Sequence, residues 1–578
     1  MNYGEEGCWV WPWDADTADQ EDIINEVDTM DETAPVMEKT FEEILLDDVI
    51  TFEGCNAQVE IAGFYWDPEK IGSDEPPDCV DIKVTIDAFT KTYSLTMDRL
   101  NTETLMKKCQ LLDFGKPSNR WKFNTCIREV IAHKMRDQST PKGYYFARAG
   151  SAWLPYENLI FVRGGEAIGK IDRPYRVASE ICEMKLQSSG KSISDLLTIL
   201  PTVPSKVLEC IAYGVMTSIR SVLLKRGIHF QGILAIVGPA GVGKTTTATR
   251  IFGSYEEAGR VVGTIQIGST MAAIQDKMLN LRDQPLILDD LCKSSSKKVE
   301  RERLEKVAQV LRIASGDIPI QKKLGNTTVS LPNEAGIVLT AEYTPDNISD
   351  CNRLLLVYLH KTLSIPEELT SARIGDLTRY YSEWFTRHWS KEIERFSQKI
   401  AEYQNNSFDK RICTNYACLD AAFESLLSAL GDWGLTEKDR NKLQAKMQKA
   451  IHKSMQEHRK IITEIKARGD LAYYLWDGYK NKAFKLCDKD KIEKLKSDTY
   501  EGIIWNGDLC LKREALMKFF YNCPGCRERS ERSILEEFKR MGALVVQEEG
   551  GYTVHLDKGL PRVCRLRLKV LKKNKGDY

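Results

Sequence analysis

No stretch of this 578-residue chain reaches the ~18 consecutive apolar residues of a membrane span. Met1 to Asp22 lacks a basic start followed by an apolar run, so no secretory signal is expected. Together these point to the cytoplasm and to no membrane partner. Cysteine is present, 16 in all, but without a framework of spacings, as in a large reduced protein. One close pair, Cys523 and Cys526 in YNCPGCRERS, has no matching second pair. It reads either as half of a zinc site or as a simple turn on Pro524-Gly525. Hydrophobic content of 42% and charged content of 29% are ordinary for a soluble globular protein. The length implies roughly three or four domains.

What the chain does have is uneven charge. Met1 to Glu60 carries 18 acids against one base, Lys39, so with a total of -1 the remainder is net +16. A basic body suits a protein that handles nucleic acid, and an acidic leader suits a decoy polyanion or a protein-contact tail. The plain alternative is a solubilising tail and a solvated basic C-terminus.

Six segments follow from the patterning. Residues 1–49 read as an acidic, disordered leader, whose WVWPW is a docking motif or a short packed strand. Residues 50–169 read as a mixed α/β domain, with VDIKVTID and TKTYSLTM as paired strands, and 170–228 as a helical connector. Residues 229–364 form an α/β nucleotide-binding core and 365–499 a helical extension. Residues 500–578 have the order expected of a winged helix with a basic tail: IIWNGDLCLK as a strand, two helices, then ALVVQEEGGYTVHL as a hairpin turning on Glu549-Gly550-Gly551.

The chemistry is concentrated in the core. GILAIVGPAGVGKTTTATRIFG matches G-x-x-x-x-G-K-[ST] between an apolar strand and a helix, the arrangement of a P-loop. Gly238, Pro239, Ala240, Gly241, Val242 and Gly243 would wrap phosphate oxygens with backbone N–H groups, and Thr246 continues into the helix whose N-terminus favours anions. Lys244 would reach the β- and γ-phosphates of ATP, and Thr245 would ligate Mg²⁺. QPLILDDL is an apolar strand ending in Asp289, expected to hold the Mg²⁺, and Asp290, expected to orient the attacking water; alternatively one of the two acids caps the next helix. Farther on, Ser315-Gly316-Asp317 leads to IPIQ, KKLGN and TTVSL, a hairpin that would project Lys322 and Lys323 at its turn towards a phosphate backbone, or else simply into solvent. GIVLTAE follows, with Glu342 as first choice and Thr340 as second for a sensor of the γ-phosphate. Arg353, just before LLLVYL, would be a finger supplied to a neighbouring subunit, or a structural arginine.

The order P-loop, LILDD, SGDIPIQKK, sensor strand resembles that of superfamily 3 helicases, the hexameric AAA+ replication motors of small DNA viruses, plasmids and phages. AWLPYENLIFVRGGEAIG, VLTAE and NRLLLVYL resemble segments of a bacterial family of primase-associated helicase-like ATPases carried by phages and mobile elements. Two departures stand out: Glu342 where superfamily 3 has Asn, and Asp289-Asp290 where the bacterial family has Asp-Glu. No zinc-ligand set or two-metal acid cluster in the N-terminal domain speaks for a primase. The resemblance implies a ring, expected to be a hexamer, that hydrolyses ATP and translocates single-stranded DNA of a mobile element. The alternative is an ATP-dependent switch or scaffold in phage defence or initiator loading, with the acidic leader as its protein contact.

Overall fold

The computed structural model describes residues 49–574, apart from 53, 72–74, 138, 231, 258–259, 262, 294–295, 317, 325–326, 346, 405–407, 467–468, 498, 524, 528 and 547–550. The acidic leader with WVWPW, Asp317, the tip residues Gly325-Asn326, Pro524 and most of the Glu549-Gly550-Gly551 turn therefore lie outside the described residues.

The chain divides into two compact units. The first comprises residues up to Phe64 together with Cys79–Pro141. Its strands Cys79–Ile86 and Phe89–Thr96 pair antiparallel from Cys79↔Thr96 to Ile86↔Phe89, as their alternation predicts. Helix Thr102–Lys108 starts at Asn101, whose side chain accepts from the Thr104 N–H. Helix Pro117–Lys134 opens with proline at its first turn and buries Phe123, Ile127, Val130 and Ile131 at helical spacing.

The second unit is built around a five-stranded parallel sheet in the order Thr264–Gln266, Pro285–Leu291, Gly336–Ala341, Ile233–Val237, Leu354–Tyr358. ILAIV and GIVLTA are buried at every position, as expected of parallel strands covered on both faces. The period of two divides their side chains between two cores. Leu234, Ile236, Val338, Leu355 and Val357 face helices Ser205–Ser218, Lys244–Phe252, Ser371–Tyr403 and Lys410–Asp432. Ile233, Ala235, Val237, Ile337 and Leu339 face helices Met271–Asn280 and Lys297–Ala314. The connector and helical-extension segments thus share one apolar core with the nucleotide-binding sheet. Among the described residues no helix is long and apolar enough to cross a membrane.

Helix Glu437–Lys466 carries His458 into this body, where Nε2 lies 3.1 Å from the Cys351 carbonyl oxygen. Nδ1 is buried with no hydrogen-bond partner among the described residues. Burial pushes the imidazole down to about 4 from 6.5. A base depressed in the fold loses stability as pH falls, because the unfolded chain takes up the proton first. The loss starts near pH 6.5 and is complete below about 4, reaching roughly 3 kcal/mol. His458→Gln is therefore expected to flatten the decline of chemical-denaturation stability over that window. A variant declining as steeply as the wild type would sink this assignment.

The C-terminal part departs from the expected order. IIWNGDLCLK is a hairpin of Gly502–Trp505 and Asp508–Lys512, turning on Asn506 and Gly507, both at positive φ (51° and 81°). Helices Arg513–Tyr521 and Glu531–Arg540 follow. The ALVVQEEGGYTVHL segment forms no strand pair of its own among the described residues. Leu544 and Val554 each bridge instead to strand Val563–Arg567, which pairs antiparallel with Asp508–Lys512. The basic tail therefore contributes the strand that closes this sheet. Cys523 and Cys526 are buried in its core, and burial pushes the Cys523 thiol up to about 12. No cluster of three metal-ligating side chains is found among the described residues.

Candidate nucleotide site

The P-loop strand Ile233–Val237 delivers the loop at the carboxyl end of the sheet, and helix Lys244–Phe252 leaves it. Each glycine has its reason. A Cβ on Gly238 would sit 2.4 Å from the Leu359 carbonyl oxygen, while Gly241 and Gly243 hold φ of 80° and 79°. Those left-handed residues turn successive N–H groups into a concave nest ahead of the helix N-terminus. The Lys244 ammonium donates to the Pro239 carbonyl at 2.9 Å, across the loop.

Non-local strand pairing completes the site. Strand Gly336–Ala341 lies between the P-loop strand and the acid strand Pro285–Leu291. Its register with the acid strand shifts between Leu288↔Leu339 and Leu291↔Ala341, so Asp289 and Asp290 together face the one residue Thr340. That β-bulge gives the two acids different surroundings. Asp289 is buried, 8% exposed, whereas Asp290 is exposed with φ 73°, a left-handed conformation that aspartate tolerates better than most residues. Asp289 Oδ1 accepts from Thr245 Oγ1 at 2.8 Å and from Thr340 Oγ1, and Oδ2 accepts from Gln266 Nε2 at 3.3 Å. The Asp290 N–H donates to Thr340 Oγ1 at 3.1 Å.

No family model matches the chain, and no curated protein matches it. Among solved structures it is similar to SCCmec type IV Cch, an active helicase. Identity is 12%, coverage is 89% of this chain and 94% of that one, and the TM-score is 0.49. A second is JCV helicase bound to a thiazolopyridine acetamide, at 12% identity over 43% of this chain and 66% of that one, TM-score 0.19. At these scores neither neighbour bears on the chemistry, which rests on the residues themselves.

The donor set fits Mg²⁺ and a polyphosphate. Thr245 Oγ1 and Asp289 Oδ1 are hard oxygen ligands already within 2.8 Å of each other, beside a nest of backbone N–H groups. Thr340 touches Asp289, and Glu342 follows the end of strand Gly336–Ala341, its carboxylate accepting from the Lys293 N–H at 3.4 Å, past the end of the acid strand. Lys322 and Lys323 lie within strand Ile320–Leu324, opposite Val329 and Thr328, rather than at the turn itself. Gln266 has no signal in the sequence, since it is brought to Asp289 by the parallel pairing Gln266↔Asp289, which no local pattern announces.

Arg353 has the surroundings of the structural alternative. Its carbonyl accepts from the Ile233 N–H at 2.8 Å, at the start of the P-loop strand and about 16 Å of strand away from the loop. Its side chain is 5% exposed, with Nε donating to Ser315 Oγ at 3.2 Å and NH1 to Ser349 Oγ at 2.7 Å. A finger must reach out of its own subunit, and this guanidinium is buried inside it. Arg353→Ala is therefore expected to lower the thermal midpoint by several degrees, through loss of a buried hydrogen-bonded charge. A variant with unchanged midpoint and abolished turnover would restore the finger assignment.

Proposed function

We propose that this chain is an ATP-hydrolysing helicase or translocase that works as a ring, expected to be a hexamer, on single-stranded DNA of a mobile genetic element. The observation that carries the hydrolytic part is the Thr245–Asp289 pair beside the P-loop nest, with Thr340 bracketing both acids. In this reading Gly238 to Gly243, Lys244, Thr245 and Thr246 bind and orient the phosphates. Thr245 and Asp289 would hold Mg²⁺, which when bound neutralises charge on the phosphate oxygens. Asp290, exposed on the bulge, orients the attacking water through its carboxylate. Thr340 fixes the relative position of the two acids.

The translocating part rests on the hairpin Ile320–Leu324 and Thr327–Leu331, which leaves the chain between the acid strand and the strand carrying Thr340 and pairs only with itself among the described residues. It is joined to the strand carrying Thr340 by residues 332–335 and to the acid strand through helix Lys297–Ala314. Lys322 and Lys323 give it the charge to follow a phosphate backbone. Changing both to alanine is expected to leave basal ATP turnover intact and to remove stimulation by single-stranded DNA, read as phosphate release with and without an oligonucleotide. Normal stimulation of the double variant would defeat the translocating part and leave the hydrolytic part standing.

A further inference from the structure

The first unit carries an exposed helix face of its own. Helix Pro117–Lys134 buries Phe123, Ile127, Val130 and Ile131, which leaves Trp121 on the opposite side at 72% exposure. Arg120 beside it and Lys116 one turn earlier are both exposed, and Arg128, half-buried, lies about 12 Å along the axis from Arg120. Leu111, in the segment leading into the helix, is 62% exposed. From Lys107 to Arg136 the sequence carries eight Lys or Arg against two acids, Asp113 and Glu129. An indole left in water without a packing role marks a contact surface. A protein partner recognised by charge alone would need the bases and not the ring. A single strand uses both, with a base stacked on the indole and phosphates on the flanking cations.

We infer that this helix face is a second nucleic-acid site, which binds single-stranded nucleic acid with a base on Trp121 and phosphates on Arg120 and Lys116. It stands on charge and exposure within the N-terminal unit and needs neither ATP nor the Lys322/Lys323 hairpin. Its role would be to hold the strand while the nucleotide site is empty.

The test uses the full chain carrying Lys244→Ala, so that ATP-dependent binding is absent. Fluorescence anisotropy would follow labelled oligothymidylate and oligouridylate of about 20 nucleotides at low salt. At least one oligomer is expected to bind, and Arg120→Glu with Trp121→Ala to weaken it at least about tenfold and to reduce the salt dependence. Arg120→Gln alone, the milder variant should the double change impair folding, is expected to weaken it about threefold. Equal binding by folded variants, or no binding by the Lys244→Ala chain, overturns the assignment. Because the readout is ATP-independent binding, failure here is distinct from failure of the translocase reading, which is read from stimulated turnover.

Discussion

Lys244→Ala is expected to lower ATP turnover on the order of 10³-fold, about 4 kcal/mol of transition-state stabilisation, in a protein that stays folded. The side chain is half-exposed and donates a hydrogen bond to the Pro239 carbonyl, so its removal opens no cavity and strands no buried charge. What disappears is the ammonium charge that the loop holds beside its backbone N–H groups. Lys244→Arg is expected to fail nearly as badly, because a planar fork cannot replace a compact charge inside a tight loop. Steady-state phosphate release with thermal melting as the control decides the matter. Turnover within tenfold of the wild type, at an unchanged melting midpoint, would mean that phosphate is not bound here.

The loop was legible because its chemistry is local: glycines whose spacing is fixed by close approach and positive φ, in adjacent positions of one segment. The acids were legible as a pair but not as individuals. Their different surroundings are set by a bulge against a strand some 50 residues later, and no periodicity in LILDD announces it. That Thr340 meets Asp289 is hidden for the same reason, since it depends on register. Strand direction puts Arg353, which precedes a strand parallel to the P-loop strand, at the end of the sheet away from its own loop, and does not decide its role. Asn506-Gly507 was a hairpin signal passed over inside a run read as one strand. The closing strand VCRLR was hidden by its arginines. One of them, Arg565, pairs with Asp508 across the sheet at 2.7 Å, so a residue that looked like tail charge is part of a strand.

Asp289→Asn and Asp290→Asn are expected to fail in different ways, and the difference tests the bulge. Asp289 accepts from three side chains, Thr245, Thr340 and Gln266. An asparagine there has one acceptor oxygen and one amide nitrogen. With its nitrogen towards Gln266 Nε2 a donor faces a donor, and with its nitrogen towards Thr245 and Thr340 both hydroxyls must turn round to accept instead of donate. The neutral amide is also a poorer magnesium ligand than a carboxylate. Turnover is expected to fall by about 10²–10³-fold, and the Mg²⁺ concentration for half-maximal activity to rise at least about tenfold. Asp290 is exposed, and its bond to Thr340 is made by the main-chain N–H, which survives substitution. Asp290→Asn is therefore expected to keep the wild-type Mg²⁺ requirement and ATP affinity while turnover falls about 10²-fold, the signature of a group that acts in the transition state and not in binding. If Asp290→Asn instead raises the Mg²⁺ requirement as Asp289→Asn does, both acids are ligands and the water is oriented by another group. If it turns over normally, Asp290 serves only the local backbone, and the left-handed residue on the bulge is there to aim Asp289.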